Sequence, residues 1–480
     1  MPVPHPHPAP HPAASPDGHP ASPGPGLVAY PPDVGGAAGP PAGDPDRLRP
    51  RVWAAVVLLG LVGQLAWTVE NIYLNLFVYD TVTDDPTVIA TMVAASAATA
   101  TLATLLLGAL SDRLGRRRVF VAGGYLLWGV CTAGFGFLTV GALDDLAPMA
   151  NVVLLTVLAV VALDCLMSFL GSGANDAAFQ AWVTDVTRPA NRGRVEAVLA
   201  VMPLLAMLVI FGAFDGLARA GQWRAFFLII GAVLAVAGVA AWFLIQESPT
   251  LVRNDAGYLR AVAHGLRPST MRANPGLYLA LAGWSVWGVS TQVFLPYLVI
   301  YLQRYLRVEG YAVVLAVVLV TASVVSVLAG RLIDRVGKAR FLLPAAAVYG
   351  TGLLLMFVAR GAVAVTGAGI VMMSGFVLVL APLGALVRDH TPPERAGHVQ
   401  GLRMIFAILI PMLIGPYLGA AVINNADETY LELGVLRQVP TPGIFLMALA
   451  VLALIVVPAL ALRRRDTAAG AGRRDAGAVA

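Results

Sequence analysis

The sequence predicts an all-α membrane protein, with twelve transmembrane helices arranged as two parallel six-helix repeats. Three observations predict it. Of 480 residues, 58% are hydrophobic and only 12% are charged, with mean hydropathy +0.77, where a soluble domain carries about 25% charged residues. The apolar residues gather into twelve stretches, each near the ~20 residues that a spanning helix needs. Two sequence motifs recur six helices apart. This composition excludes an ordinary soluble enzyme, a nucleic-acid binder and a disulfide scaffold, because Cys131 and Cys165 both sit within apolar runs.

Residues 1–50 hold 16 of the 33 prolines and four of the seven histidines. They read as a disordered, low-complexity cytoplasmic tail that cannot bury enough apolar surface to fold. The alternative for its His-Pro run is loose binding of a divalent metal. No basic n-region precedes an apolar h-region, so the first spanning helix acts as the targeting segment. The spans lie near 52–79, 88–110, 119–142, 150–182, 196–217, 224–245, 276–303, 310–333, 341–360, 362–387, 399–423 and 442–462. They divide the chain into a six-helix bundle at 51–245, a cytoplasmic linker at 246–275, a second bundle at 276–463 and a tail at 464–480. Alternating strands of the kind that build barrels are absent.

Orientation follows from the basic residues. With the N-terminus inside, 26 of the 32 Lys and Arg residues fall on the cytoplasmic side. The outer loops instead carry acids such as Asp84, Asp85 and Glu428. Both termini are therefore expected in the cytoplasm of a multi-pass protein of the cell membrane. The net charge of +5 reports this orientation and not a nucleic-acid partner.

After helix 2 the sequence reads Gly108-Ala-Leu-Ser-Asp112-Arg113-Leu-Gly115-Arg116-Arg117, and after helix 8 it reads Gly330-Arg-Leu-Ile-Asp334-Arg335-Val-Gly337-Lys338, an offset of 222. Asp185-x-Thr187-x-Pro189 after helix 4 returns as Asp389-x-Thr391-x-Pro393 after helix 10. Parallel repeats about an axis along the membrane normal are one transporter plan. The Gly108–Arg117 pattern resembles the loop 2–3 motif of the major facilitator superfamily, and the copy at Gly330 resembles its loop 8–9 counterpart. The resemblance covers residues 51–463. It implies a secondary transporter that works by alternating access, with a cavity between the halves lined mainly by helices 1, 4, 7 and 10.

In the first loop, Gly108 and Gly115 permit close approach and a tight turn. Asp112 suits a neighbouring helix N-terminus, where the dipole favours an anion. Arg113, Arg116 and Arg117 can reach Asp185 or Glu247. Together with Gly330, Asp334 and Arg335, these residues form a candidate cytoplasmic latch that biases a two-state equilibrium. Plain topology signalling accounts for the arginines alone.

Charges inside spans are functional candidates by default. Glu70 in helix 1 and Asp164 in helix 4 are the candidate proton-coupling pair, since burial disfavours a charged carboxyl and such a group can load and release a proton. The alternative is a protonated carboxyl bonded to a neighbouring helix. Asp215 reads as an interfacial, solvated acid, and Asp176 as a cap or latch residue. At about 100° per residue, Gln64, Thr68, Asn71 and Asn75 share an arc of about 60° on helix 1. Glu70 lies off that stripe, with Trp67 between. Helix 7 offers Ser285 and Gln292, with Gln303 further along. These seven residues (Gln64, Trp67, Thr68, Asn71, Asn75, Ser285 and Gln292) are the candidate substrate-cavity residues; interhelical bonding is the competing role.

The Gln64-x-x-Trp67-x-x-Glu70 spacing is similar to helix 1 of proton-coupled sugar and glycoside symporters of the sucrose-transporter and glycoside–pentoside–hexuronide type. Glu247-Ser248-Pro249 resembles part of a sugar-porter motif, with Gln246 and Thr250 replacing its first Pro and its Arg. Gly415-Pro416-x-x-Gly419 resembles the core of the antiporter motif, though it stands in helix 11 rather than helix 5. Sugar or glycoside symport is the leading expectation, proton-driven efflux of a drug or metabolite the alternative, and a non-transporting transceptor the second alternative. No enzyme activity, cofactor or metal is expected, since His264, His390 and His398 lie in cytoplasmic loops. The expected partners are a small-molecule substrate and the bilayer, for a monomer energised by a proton gradient.

Overall fold

Proline opens three of the spanning helices, at Pro50, Pro86 and Pro275, where the missing N–H is no loss. The computed structural model describes residues 48–146, 151–187, 189–247, 265–391, 401–426, 428–432 and 435–465. Within them run α1 (Pro50–Thr81), α2 (Pro86–Leu114), α3 (Arg117–Phe137), α4 (Val152–Val186), α5 (Asn191–Arg219) and α6 (Trp223–Leu244). The second half supplies α7 (Pro275–Tyr305), α8 (Tyr311–Val336), α9 (Lys338–Val358), α10 (Ala362–Asp389), α11 (Gly401–Ala426) and α12 (Gly443–Arg465). Among the described residues, eleven of these are long and apolar enough to cross a membrane, and α8 is apolar over Tyr311–Val325. The expected tails at 1–47 and 466–480, and 248–264 of the expected linker, lie outside the described residues.

The repeat is visible in packing as well as in sequence. In the first half α3 packs on α6, α2 on α4 and α1 on α5; in the second, α9 packs on α12, α8 on α10 and α7 on α11. Across the halves α2 lies against α11, and α5 touches α8 only sparsely. The paired motif glycines end α2 and α8 with positive φ, +62° at Gly115 and +91° at Gly337, a backbone region that a Cβ disfavours.

Two features go beyond the expected helices. The outer loop between α11 and α12 carries an antiparallel hairpin, β1 (Thr429–Glu432) with β2 (Val435–Gln438). The spans also contain π-helical turns at Val69–Leu74, Ser172–Phe179, Ile210–Phe214, Tyr301–Tyr305 and Ile405–Leu409. A π turn widens the helix and re-aims its side chains, and such turns concentrate at functional sites. Glu70 and Asp176 sit within two of them, and Asp215 directly follows a third.

Candidate functional site

The two intramembrane acids singled out from sequence share one buried site. Glu70 is 7% exposed and Asp164 1%, and they lie within Coulombic range of each other. Helices α1 and α4 bring them together. Ser168, one turn beyond Asp164, donates its hydroxyl to Glu70 Oε1 at 2.6 Å. The second oxygen, Glu70 Oε2, and Asp164 Oδ1 are buried without a hydrogen-bond partner. Ser96 of α2 stands beside Asp164, but its own proton goes to Val93 O at 3.1 Å. Among the described residues no salt bridge reaches either acid.

Asp176 joins this group, which corrects its reading as a cap or latch. Helix α4 continues past it to Val186, and its carboxylate accepts from Asn175 Nδ2 at 2.9 Å. Trp67 faces Asp176 and packs on Trp128 with ring centroids 5.2 Å apart. Asn175 Oδ1 in turn accepts from the Tyr125 hydroxyl at 2.8 Å. Sequence reasoning missed Ser168, Asn175 and Tyr125, because only the α1–α3–α4 contact gives them a role.

The polar stripe of helix 1 is largely committed to its own backbone. Thr68 donates to Gln64 O, Asn71 to Trp67 O and Asn75 to Asn71 O, each at 2.8 Å. Gln64 and Asn71 remain half-buried, and Asn75 Oδ1 is buried without a partner. On α7, Ser285 donates to Phe406 O at 2.5 Å, a bond to the π turn of α11. Half-buried Gln292 packs its Cβ where a Cβ on Gly415 would stand, 2.5 Å away. A Cβ on Gly419 would meet Val293 O at 2.2 Å. The glycines of the Gly-Pro-x-x-Gly segment therefore serve the close crossing of α7 and α11.

Some of the candidate latch residues meet one another. Arg117 Nε pairs with Asp185 Oδ2 at 3.2 Å, and Arg117 Nη1 donates to Ser111 Oγ at 2.6 Å. Glu247 receives backbone N–H groups rather than arginine side chains, from Arg117 and Arg118 at 3.0 Å each. Glu247 thus takes the helix N-terminal position expected for an acid, where orphan donors and the dipole favour a carboxylate. In the second copy Lys338 Nζ pairs with Asp389 Oδ2 at 2.6 Å. Arg113, Arg116 and Arg335 are exposed. Gly108 leaves 3.6 Å to Ala177 Cβ, ordinary contact. The side chains of Asp112 and Asp334, and the surroundings of Gly330, lie outside the described residues.

At the opposite ends of the helices, hydrogen bonds cross from one half to the other. Arg304 of α7 meets Asp80 of α1 at 2.7 Å, and Tyr297 donates to Pro86 O at 3.0 Å. Strand β2 clasps the α1–α2 turn, with Arg437 Nη1 donating to Tyr79 O and Gln438 N to Asp84 Oδ2, both at 2.7 Å. Asp215, read from sequence as solvated, is instead 1% exposed. Beneath this seal, where α5 and α8 approach, lies a cavity with an almost wholly apolar lining that includes Met207, Phe211, Met356, Met372 and Met373. None of the expected cavity residues lines it.

A family model described as the Major Facilitator Superfamily matches residues 56–416 and 309–478. No curated protein sequence matches the chain. Similar solved structures include a variant of the nucleoside transporter NupG, at 12% identity and TM-score 0.65 over 86% of this chain and 99% of that one. A D-xylose-proton symporter aligns at 14% identity and TM-score 0.63, over 84% and 97%. A bacterial homolog of the human lysosomal transporter Spinster, inward-facing and unoccupied, aligns at 15% and 0.60, over 87% and 98%. Likeness at such identities reports the fold, and the family match along the chain reports descent. With twelve helices, a repeated packing scheme and the paired Gly-Asp-Arg loops, the chain belongs to the major facilitator superfamily.

Proposed function

We propose that this transporter is proton-coupled, with the proton carried by Glu70 and Asp164, and that its cargo is a small polar solute of the sugar or glycoside class. The carrying observation is the pair itself: two buried carboxyls from α1 and α4, each with an oxygen lacking a partner, and no cation paired with either among the described residues. A proton is the charge that balances such a pair, and α1 and α4 are two of the four helices that the family resemblance assigns to the cavity lining. Half-buried Gln64, Asn71 and Gln292 supply the amide groups that a hydroxyl-rich solute needs, with Trp67 beside them. The distant fold neighbours that carry nucleosides and xylose are compatible with this class.

The test is uptake into proteoliposomes against a panel of sugars, glycosides and lipophilic cations, with and without an imposed pH gradient. Accumulation of a sugar that collapses with the gradient supports the reading. Accumulation that survives both E70Q and D164N overturns the coupling assignment. Efflux of an amphipathic solute is the second reading, favoured by the methionine-rich cavity at the α5–α8 seam. If no solute moves under any gradient, a transceptor role replaces both.

A further inference from the structure

Asp215 sits at the outer end of α5 and binds three groups. Arg219, one turn on, pairs with Oδ2 at 2.8 Å. Tyr73 of α1 donates to Oδ1 at 3.0 Å. Tyr311, the first residue of α8, donates to the same Oδ1. The first two partners belong to the same half of the molecule as Asp215; the third belongs to the other half. Gln303 of α7 faces the Tyr311 hydroxyl in turn.

A buried carboxylate is a poor device for stability alone, since desolvation offsets most of its Coulomb gain. Its partners here divide in a way that a pure staple does not require. When the halves part at this end, Asp215 keeps Tyr73 and Arg219, so no charge is stranded. Only the bond to Tyr311 is lost, and water takes its place. The carboxylate therefore keeps the Arg219 countercharge on Oδ2 and the Tyr73 bond on Oδ1 in both states, and the Tyr311 bond favours one of them.

The geometry points to Asp215 as the outer-gate positioning residue, holding the extracellular side shut through Tyr311 and setting the balance between inward- and outward-facing states. Helices α5 and α8 otherwise touch sparsely, so this bond carries much of the seal on that flank. Arg304–Asp80 and the β2 clasp serve the other. The inference rests on alternating access, but not on which acids carry the proton or what the cargo is.

The test needs no substrate. In a background with Cys131 and Cys165 replaced by Ala, N71C on α1 is labelled in right-side-out vesicles by a membrane-impermeant maleimide. Y311F is expected to raise the outside labelling rate about tenfold, the loss of one hydrogen bond to a charged group, and D215N at least as much. Y73F removes a bond to the same oxygen from within the same half, and is expected to stay within about twofold. Labelling in inverted vesicles should fall as outside labelling rises. Equal effects of Y73F and Y311F, or no change with Y311F, overturn the gate and leave Asp215 a packing group. If D215N does not reach the membrane, the two tyrosine variants decide alone.

Discussion

Ser168 of α4 donates a hydrogen bond of 2.6 Å to Glu70 of α1, two residues 98 positions apart in the chain. That bond fixes one oxygen of Glu70; the other oxygen, like Asp164 Oδ1, is buried without a hydrogen-bond partner. The pair is thus held in place while keeping room for a proton.

For this pair, E70Q and D164N are each expected to reduce gradient-driven accumulation at least about tenfold, below the ~10²–10⁴-fold that a positioned proton-transfer group contributes in catalysis. Exchange of labelled for unlabelled solute, which needs no net proton movement, should persist within about threefold. S168A should retain accumulation and alter only its pH profile. Exchange abolished together with accumulation would point to binding rather than coupling.

The Arg304–Asp80 pair joins the two halves at 2.7 Å with both side chains partly exposed. Single substitutions R304A and D80A should each speed outside labelling of the cavity cysteine, and the double variant should add little. A coupling energy of about 0.5–3 kcal/mol in that cycle is expected for residues in contact. Additive effects would mean that the two charges act separately.

Glu247 satisfies two orphan N–H groups at the start of α3. E247A should cost about 1–2 kcal/mol, the value of a lost helix cap, visible as a lower midpoint in detergent-solubilised thermal unfolding. E247Q retains one acceptor and should recover part of the loss. R117A, which removes the buried guanidinium that pairs with Asp185 and donates to Ser111, should lower the midpoint further, since a hydrogen bond to a charged group is worth about 1.5–3 kcal/mol.

The α7–α11 crossing offers a packing test. A methyl on Gly415 would stand 2.5 Å from Gln292 Cβ and 2.8 Å from Val289 O. G415A should therefore destabilise by about 1–3 kcal/mol through overpacking, measured by the same thermal assay. A neutral outcome would show that α11 can shift away from α7, and would return the Gly-Pro-x-x-Gly segment to a role in transport.

Much of the architecture was legible in the sequence because it follows from local rules. Span length and apolar composition yield the membrane helices whatever their neighbours do. Gly115 and Gly337 were marked by their place in a repeat, and both adopt positive φ, a requirement that belongs to the backbone alone. Glu70 and Asp164 were conspicuous because an acid in lipid needs a reason.

Partners were another matter. Asp215 looked solvated from its position near a helix end, yet Tyr73 and Tyr311 reach it from 142 and 96 residues away. Asp176 looked like a cap or latch residue from its place near the end of the 150–182 span, yet it lies in the π turn of α4 with its carboxylate on the Asn175 amide. The helix 1 amides looked free to bind solute, yet most donate to their own backbone one turn earlier. Composition and period determine which segments are long and apolar enough to cross the bilayer, because that depends on transfer free energy and short-range geometry. Which buried oxygen meets which donor depends on how twelve helices pack, and only the tertiary structure decided it.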